Sequence, residues 1–224
     1  MDKGCNLGTD VGGTFTDLAW CTPSGELHCF KVPSTPSRPG QSILEGVDEL
    51  FGAMQPDGGT WHNVRHTHSS TVATNALIER RGARVGLIVT AGFRDLFELQ
   101  RLAIPHPMRF DSRRPDPLVP RALVREVRGR IGPDGDELEP LNEADVLAAA
   151  RALQDGGVEI AVVALIHSYR SPVHEQLVRA IVARHGLPLR LELSSEIWPQ
   201  AREYERSVLT ALNASIRPVV EAYL

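Results

Sequence analysis

Cysteine is scarce in this sequence: Cys5, Cys21 and Cys29 are the only three in 224 residues, and none are spaced as CxxC. An odd number so arranged excludes a disulfide framework and a cysteine zinc site, and predicts reduced core thiols in a cytoplasmic setting. Long hydrophobic runs are missing too. The longest apolar stretch, Ile160 to Ile166, is far shorter than the roughly 20 residues that a membrane helix needs. Concentrated positive charge is also lacking. The net charge is −4, and no basic cluster is denser than Arg113-Arg114 or the stretch Arg125–Arg130. That excludes a nucleic-acid footprint and an anionic membrane surface as partners. The chain starts on a polar Met1-Asp2-Lys3-Gly4 with no apolar segment, so no signal peptide is expected.

What is present is ordinary globular material. Hydrophobic residues make up 42% and charged residues 23%, and the length suits one large domain or two small ones.

The densest grouping of polar chemistry lies in Leu7 to Asp17, LGTDVGGTFTD. An apolar segment carrying Asp10 runs into Gly12-Gly13. Thr14, Thr16 and Asp17 follow, inside a second strand-forming segment. This predicts a β-hairpin bent at the two glycines, which tolerate positive φ and leave room for a ligand to approach backbone N–H groups. Paired amides and hydroxyls suit phosphate oxygens, and a carboxylate beside them suits hydrated Mg²⁺. A plain hairpin turn is the competing reading. The acid, both glycines and three more polar residues within one bend favour the ligand.

Along the chain, residues 5–11, 15–21 and 26–33 predict a three-stranded antiparallel meander with a turn at Pro23-Ser24-Gly25, followed by a Pro/Ser break over 33–39. The next helix is expected to start with Ser42 and Glu45 as a capping box. Its apolar face would be Ile43, Leu44, Val47, Leu50, Phe51 and Met54, and Gly58-Gly59 would end it. A strand over 64–69 leads into a helix reaching about Arg81, with Gly82 at its C′ position. Residues 84–90 predict a buried parallel strand and 92–102 a helix. Five prolines exclude regular structure over 103–120. Residues 123–131 predict a strand ending at the turn Pro133-Asp134-Gly135. The last third alternates α and β: a helix capped by Asn142, a strand at 160–166, and a helix opened by Ser171-Pro172 and closed at Gly186. A strand at 187–193 and a long helix over 199–224 complete it. The stripe on that last helix is Tyr204, Val208, Leu212, Ile216, Val219 and Tyr223, with Pro218 as a kink. The stripe meets no stop signal, so the polypeptide is expected to continue or to dock on a partner.

A second polar grouping is His68-Ser69-Ser70-Thr71-Val72-Ala73-Thr74-Asn75, at a strand-to-helix junction. Hydroxyls there satisfy free N–H groups, and Thr71, Thr74 and Asn75 recur at helical spacing, either as an over-endowed cap or as a polar face toward a ligand. His66 and His68 alternate on one strand face. Without a third ligand, His68 is better read as a hydrogen-bonding or acid/base group than as a metal ligand. Arg94, Asp95 and the run Arg202 to Arg206 are most simply surface charge, and His167-Ser168-Tyr169 follows a central strand, on the ligand side of an open sheet.

Taken together these motifs resemble a known family. Asp10-x-Gly-Gly-Thr-x-Thr-Asp17 is similar to the first phosphate loop of the actin-like and sugar-kinase ATPase superfamily. The block opening at His68, Arg114-x-x-Pro-Leu-Val-Pro120, His167-Ser-Tyr-Arg-x-Pro172 and Arg202-Glu-Tyr-Glu-Arg206 resemble the hydantoinase A/5-oxoprolinase/acetone carboxylase family. The similarity covers nearly the whole chain. One departure is Ser69, where the family usually has glycine.

The resemblance implies an α/β fold: a ribonuclease-H-like (actin-like ATPase) lobe with an N-terminal antiparallel β-meander and a mixed sheet flanked by helices. It would occupy residues 1–195, with 196–224 beginning the next domain. It implies ATP and Mg²⁺ as cofactors, with ATP activating a lactam or hydantoin carbonyl for ring opening. Ketone carboxylation is the alternative, and a non-catalytic assembly subunit docking through the last helix is a third. By position, Asp10 would hold Mg²⁺ through water, Gly12, Gly13 and Thr14 would contact phosphates, and Thr16 and Asp17 would support that shell. His68, Thr71 and Asn75 would lie on the substrate or γ-phosphate side. Expected partners are a second lobe of the same enzyme and a hydantoinase B-type subunit. The second phosphate loop of the family is not in these 224 residues. The isolated chain is therefore expected to bind ATP weakly and to show no turnover. Calorimetry that found micromolar ATP affinity would overturn this.

Overall fold

Alternation in the first 33 residues produces the expected meander. In the computed structural model, which describes residues 5–22, 24–35, 39–54 and 64–223, β1 (Cys5–Val11), β2 (Phe15–Cys21) and β3 (Leu27–Pro33) pair antiparallel. Strand β4 (Val64–Ser70) adds parallel to β1, giving a mixed sheet of order β3-β2-β1-β4. Leu7, Val11, Leu18 and Trp20 point to one face and are buried. There Leu7 and Trp20 meet Leu50 of helix α1 (Pro39–Met54), each such side chain contributing about 1.5–3 kcal/mol on leaving water. Gly46 lets the helix sit close, since a Cβ there would come within 2.5 Å of Leu18. Helix α1 starts before the anticipated cap. Ser42 is buried inside it, and Leu44, expected on the apolar face, is exposed. Pro23, residues 36–38, Gly58-Gly59, the side chains of Phe51 and Met54, and Leu224 lie outside the described residues.

Strand β4 leads into α2 (Val72–Ile78), shorter than expected. Arg80 takes the left-handed conformation, at φ 52°. Gly82 is therefore not a C′ residue. It is needed for space, because a Cβ there would run into Ser215.

The chain divides into two compact units: residues up to 81 together with those from 219 on, and Gly82–Pro218. The second unit is a parallel sheet of order β10-β9-β5-β6. Its strands are β5 (Val85–Thr90), β6 (Val124–Val127), β9 (Ile160–Ala164) and β10 (Arg190–Leu193). Every residue of β5 and β9 is buried, as suits central strands covered on both faces. Helices α4 (Glu143–Asp155) and α5 (Val173–Arg184) contribute Val146, Ala150, Leu153, Val178 and Ile181 to that core. Asn142 caps α4 as expected, its Oδ1 accepting from Asp145 N–H at 3.0 Å. The Asp145 carboxylate in turn accepts two bonds from the Arg128 guanidinium, which hold it below the usual carboxylate range.

Several expectations are corrected. The strand over 123–131 is two: β6, then β7 (Arg130–Ile131), which pairs with an unanticipated β8 (Glu137–Glu139) across the predicted turn. The helix over 92–102 shrinks to α3 (Leu96–Leu99) and a 3-10 turn, broken where Gln100, Arg101 and Leu102 take positive φ. Pro172, not Ser171, stands at the N-cap position of α5, and no side chain caps the helix there. The final helix splits into α6 (Ser194–Ile197) and α7 (Glu203–Tyr223), and α7 remains one helix through Pro218. The deeply buried face of α7 is not the predicted stripe but Arg206, Ser207, Thr210, Ala211, Ala214 and Ser215. No helix among the described residues is long and apolar enough to cross a membrane.

A buried polar network explains that face. Glu175 and Arg206 are both fully buried. Glu175 accepts from Leu165 N–H, Ser195 N–H and Ser194 Oγ at 2.6–2.9 Å. Arg206 donates to Leu165 O, Gln200 O and Ser194 Oγ at 2.9–3.1 Å. Ser194 thus bridges acid and base, and the network ties the ends of β9 and β10 to α5 and α7. Glu175→Ala or Arg206→Ala should each cost about 3 kcal/mol or more, since either leaves an uncompensated buried charge. The double variant should lose less than the sum of the two, as measured by urea denaturation.

Candidate phosphate and cation site

The register between β1 and β4 organises the site. Asp10 lies against Ser69, and across the hairpin Asp10 lies against Asp17, which lies against Lys31. Residues directly opposite one another share a face of a sheet. The exposed face therefore carries the row Ser69–Asp10–Asp17–Lys31. Ser69 Oγ donates to Asp10 Oδ1 at 2.5 Å, and Lys31 Nζ lies 3.0 Å from Asp17 Oδ1. In order the row is donor, acceptor, acceptor, donor. Two carboxylates meet in the middle, an unfavourable pairing unless something positive comes between them.

Next to this row lies Thr67–Gly8–Ala19–Cys29, whose small side chains form the floor of a trough of about 400 Å³. Asp10, Asp17 and Ser69 line the same trough. Mg²⁺ takes one or two carboxylates and keeps several waters, so these hard oxygens fit it. No group of three or more metal-ligating side chains occurs among the described residues. A cation here would accordingly draw its other ligands from water and phosphate.

At the bend, Gly12 N–H donates to Phe15 O at 3.0 Å and Ser34 N–H to Thr14 O at 2.9 Å. Neither glycine takes a left-handed φ, contrary to the expected use of that freedom. What the bend uses is room. A Cβ on Gly12 would lie 3.0 Å from Phe15 O, and one on Gly13 would lie 3.5 Å from Asn75 Nδ2. The two predicted polar groupings thus meet. Thr71 N–H donates to Val11 O at 3.3 Å, and Asn75 Nδ2 to Thr71 Oγ1 at 3.3 Å. At the start of α2 it is Ser70 Oγ, not the Thr71 hydroxyl, that accepts a helix N–H, from Val72. Thr14 is exposed.

Two of the singled-out residues are placed elsewhere. Thr16 is fully buried on the α1 side, its hydroxyl 2.9 Å from Ser34 Oγ and 3.0 Å from Ser42 Oγ, tying the bend to the helix. His68, one residue before Ser69, faces away from Asp10. Its Nδ1 meets the hydroxyl of buried Thr9 at 2.8 Å, and His66 Nε2 meets the same hydroxyl at 2.9 Å. His68 Nε2 lies 2.6 Å from Tyr223 OH, with the rings stacked. Thr9, Ser69 and Tyr223 were not singled out for these contacts. For Thr9 and Ser69 the signal is parity: once β1 and β4 are known to be parallel and in this register, odd and even positions separate onto opposite faces; Tyr223 lies on α7, where no local pattern marks the contact.

The later motifs meet in the second unit. His167, at φ 56°, engages Ile131 O through Nδ1 at 2.8 Å, and Tyr169 lies beneath the Arg206 guanidinium. Both thus pack about the buried network. Asp95 pairs with Arg121, whose hydrogen bond holds it below the usual carboxylate range.

Comparison with known proteins identifies the family and the fold. The family model described as the hydantoinase/oxoprolinase N-terminal region matches residues 6–186. Caprolactamase subunit alpha of Pseudomonas jessenii is 37% identical over 97% of this chain, which covers 32% of that protein. A crystal structure of the ATP-dependent caprolactamase from the same organism superposes with TM-score 0.84 at 35% identity, over 97% of this chain and 32% of that one. Acetone carboxylase, in a nucleotide-free structure, gives TM-score 0.83 at 27% identity, over 97% and 34%. The chain thus spans about a third of the length of these relatives, and it has the α/β, actin-like lobe that they carry.

Thr9→Val keeps the side-chain shape but removes the hydroxyl shared by His66 and His68. It should cost about 1–2 kcal/mol and leave both rings in mixed tautomers, as read from long-range ¹H–¹⁵N spectra.

Proposed function

Because the chain belongs to the hydantoinase/oxoprolinase N-terminal family, we propose that it supplies one half of an ATP site in an enzyme that activates a lactam or hydantoin carbonyl for hydrolytic ring opening. The observation that carries this reading is the facing pair Asp10 and Asp17, set beside the Gly12-Gly13 bend and open to a trough. Asp10 would hold Mg²⁺ through water, with Asp17 supporting the shell while paired to Lys31. Gly12, Gly13 and Thr14 would offer backbone and hydroxyl donors to phosphate oxygens. Thr71 and Asn75, which abut Gly13, would sit on the γ-phosphate side. Thr16 would act from beneath, by holding the bend on α1. His68 would serve as a hydrogen-bonding or acid/base group on the other face of the sheet.

ATP bound here would supply the phosphoryl group that makes the carbonyl oxygen a better leaving group, and Mg²⁺ would offset the phosphate charge. Water must attack only the activated carbonyl, so the complete site needs cover that excludes bulk solvent. The proposal includes a second lobe, a hydantoinase B-type partner and a cytoplasmic setting. Ketone carboxylation is the second reading, favoured by the comparable fit to acetone carboxylase.

Phosphate release by the complete enzyme should rise with one of hydantoin, 5-oxoproline, caprolactam, or a ketone with bicarbonate. Asp10→Asn should lower that rate on the order of 100-fold. If none of these compounds raised ATP hydrolysis above background, carbonyl activation would be the wrong chemistry.

A further inference from the structure

Asp10 has two carboxylate oxygens, and the structure treats them differently. Ser69, its direct neighbour on β4, donates its hydroxyl to Oδ1 at 2.5 Å. Bonds from a hydroxyl to a carboxylate oxygen run to about 2.5–2.7 Å when the charge assists, so this is a strong one. The backbone pairing of β1 with β4 fixes the approach, because the two Cα atoms are register partners and both side chains stand on the exposed face. On the opposite side of Asp10 stands Asp17, an acceptor, itself held from the far side by Lys31.

Resting on the cation reading of Asp10 above, we propose that Ser69 is a positioning residue that makes Asp10 a one-oxygen ligand. Its hydroxyl takes Oδ1 and turns Oδ2 alone toward the trough and Asp17. The consequence is selectivity. Mg²⁺ demands near-octahedral geometry and accepts single carboxylate oxygens with water between or beside them, whereas Ca²⁺ readily takes both oxygens of one carboxylate. An Asp10 clasped by Ser69 offers Oδ1 less readily than Oδ2, because one lone pair of Oδ1 is already engaged and the bond fixes the carboxylate's rotation. A side chain without a hydroxyl at position 69 would release Oδ1 and open the two-oxygen mode.

The test is titration of the complete enzyme with MgCl₂ and, separately, CaCl₂, following the amide signals of Asp10, Gly12 and Ser69 by NMR. Three variants accompany the wild type: Ser69→Ala, Ser69→Thr and Asp10→Asn. Ser69 is exposed, so both substitutions at 69 leave the core untouched, and unchanged amide spectra elsewhere verify this. The ratio of Ca²⁺ to Mg²⁺ affinity should rise about threefold or more in Ser69→Ala and stay at the wild-type value in Ser69→Thr, which keeps the hydroxyl. Asp10→Asn should remove the saturable response to both ions. An unchanged ratio in Ser69→Ala overturns the positioning role while leaving Asp10 as a cation ligand. An equal rise in Ser69→Thr also overturns it, since bulk rather than the hydroxyl would then be responsible. A response that survives Asp10→Asn, or no saturable response in the wild type, overturns the cation reading itself, and the role of Ser69 falls with it.

Discussion

The parallel pairing of β1 with β4 is the constraint on which the rest of the first unit depends. A strand has a side-chain period of two, so one choice of register assigns every polar group to a face. With Asp10 against Ser69, the exposed face collects the two carboxylates, the lysine and the small-residue trough. The same choice sends Thr9, His66 and His68 to the side that also receives α1. A slip of β1 by one residue against its neighbours would turn Asp10 toward the hydrophobic helix and Leu7 away from it. Burial of Leu7, Leu18 and Trp20 is what forbids the slip, so the apolar face of the sheet holds the chemistry of the polar face in place.

The second unit solves a different problem. Its parallel strands end where backbone carbonyls and amides would be buried without partners, and charged side chains are brought inside to meet them. Glu175 and Arg206 each satisfy main-chain groups at those ends and share Ser194 between them. The motifs His167 to Pro172 and Arg202 to Arg206 meet around this network. Their polar character serves the architecture, which is why α7 buries a polar and small-residue face and leaves its apolar stripe half-covered.

Much of this was legible in the residues. Strand alternation located β1, β2 and β3 to within a residue, and continuous apolar runs located β5 and β9, because burial on one face or on both leaves different patterns. The acid and the glycines at the bend were legible as one polar grouping from their spacing alone, and the strand pairing does set Asp10 opposite Asp17 beside that bend. Helix boundaries were less so: Ser42 has the identity of a cap but is buried against Thr16, a contact between residues 26 positions apart that no local rule can anticipate. The separation of His68 from Asp10 was hidden for the same reason. Face assignment needs the register between strands, and register is a long-range property. Side-chain periodicity likewise misjudged α7, since it scores hydrophobicity and the buried arginine is held by hydrogen bonds.

One glycine deserves a different question from the one usually asked of it. Gly13 has no left-handed φ to justify it, and a methyl group in its place would make only an ordinary contact with Asn75. Alanine there would also restrict the unfolded chain, worth about 0.4–1 kcal/mol in favour of folding. As far as the fold is concerned, then, the position is under-filled and slightly costly. A vacancy of one methyl group at the tip of a bend is a surface left clear, and the contour of that surface belongs to whatever molecule comes to rest against it.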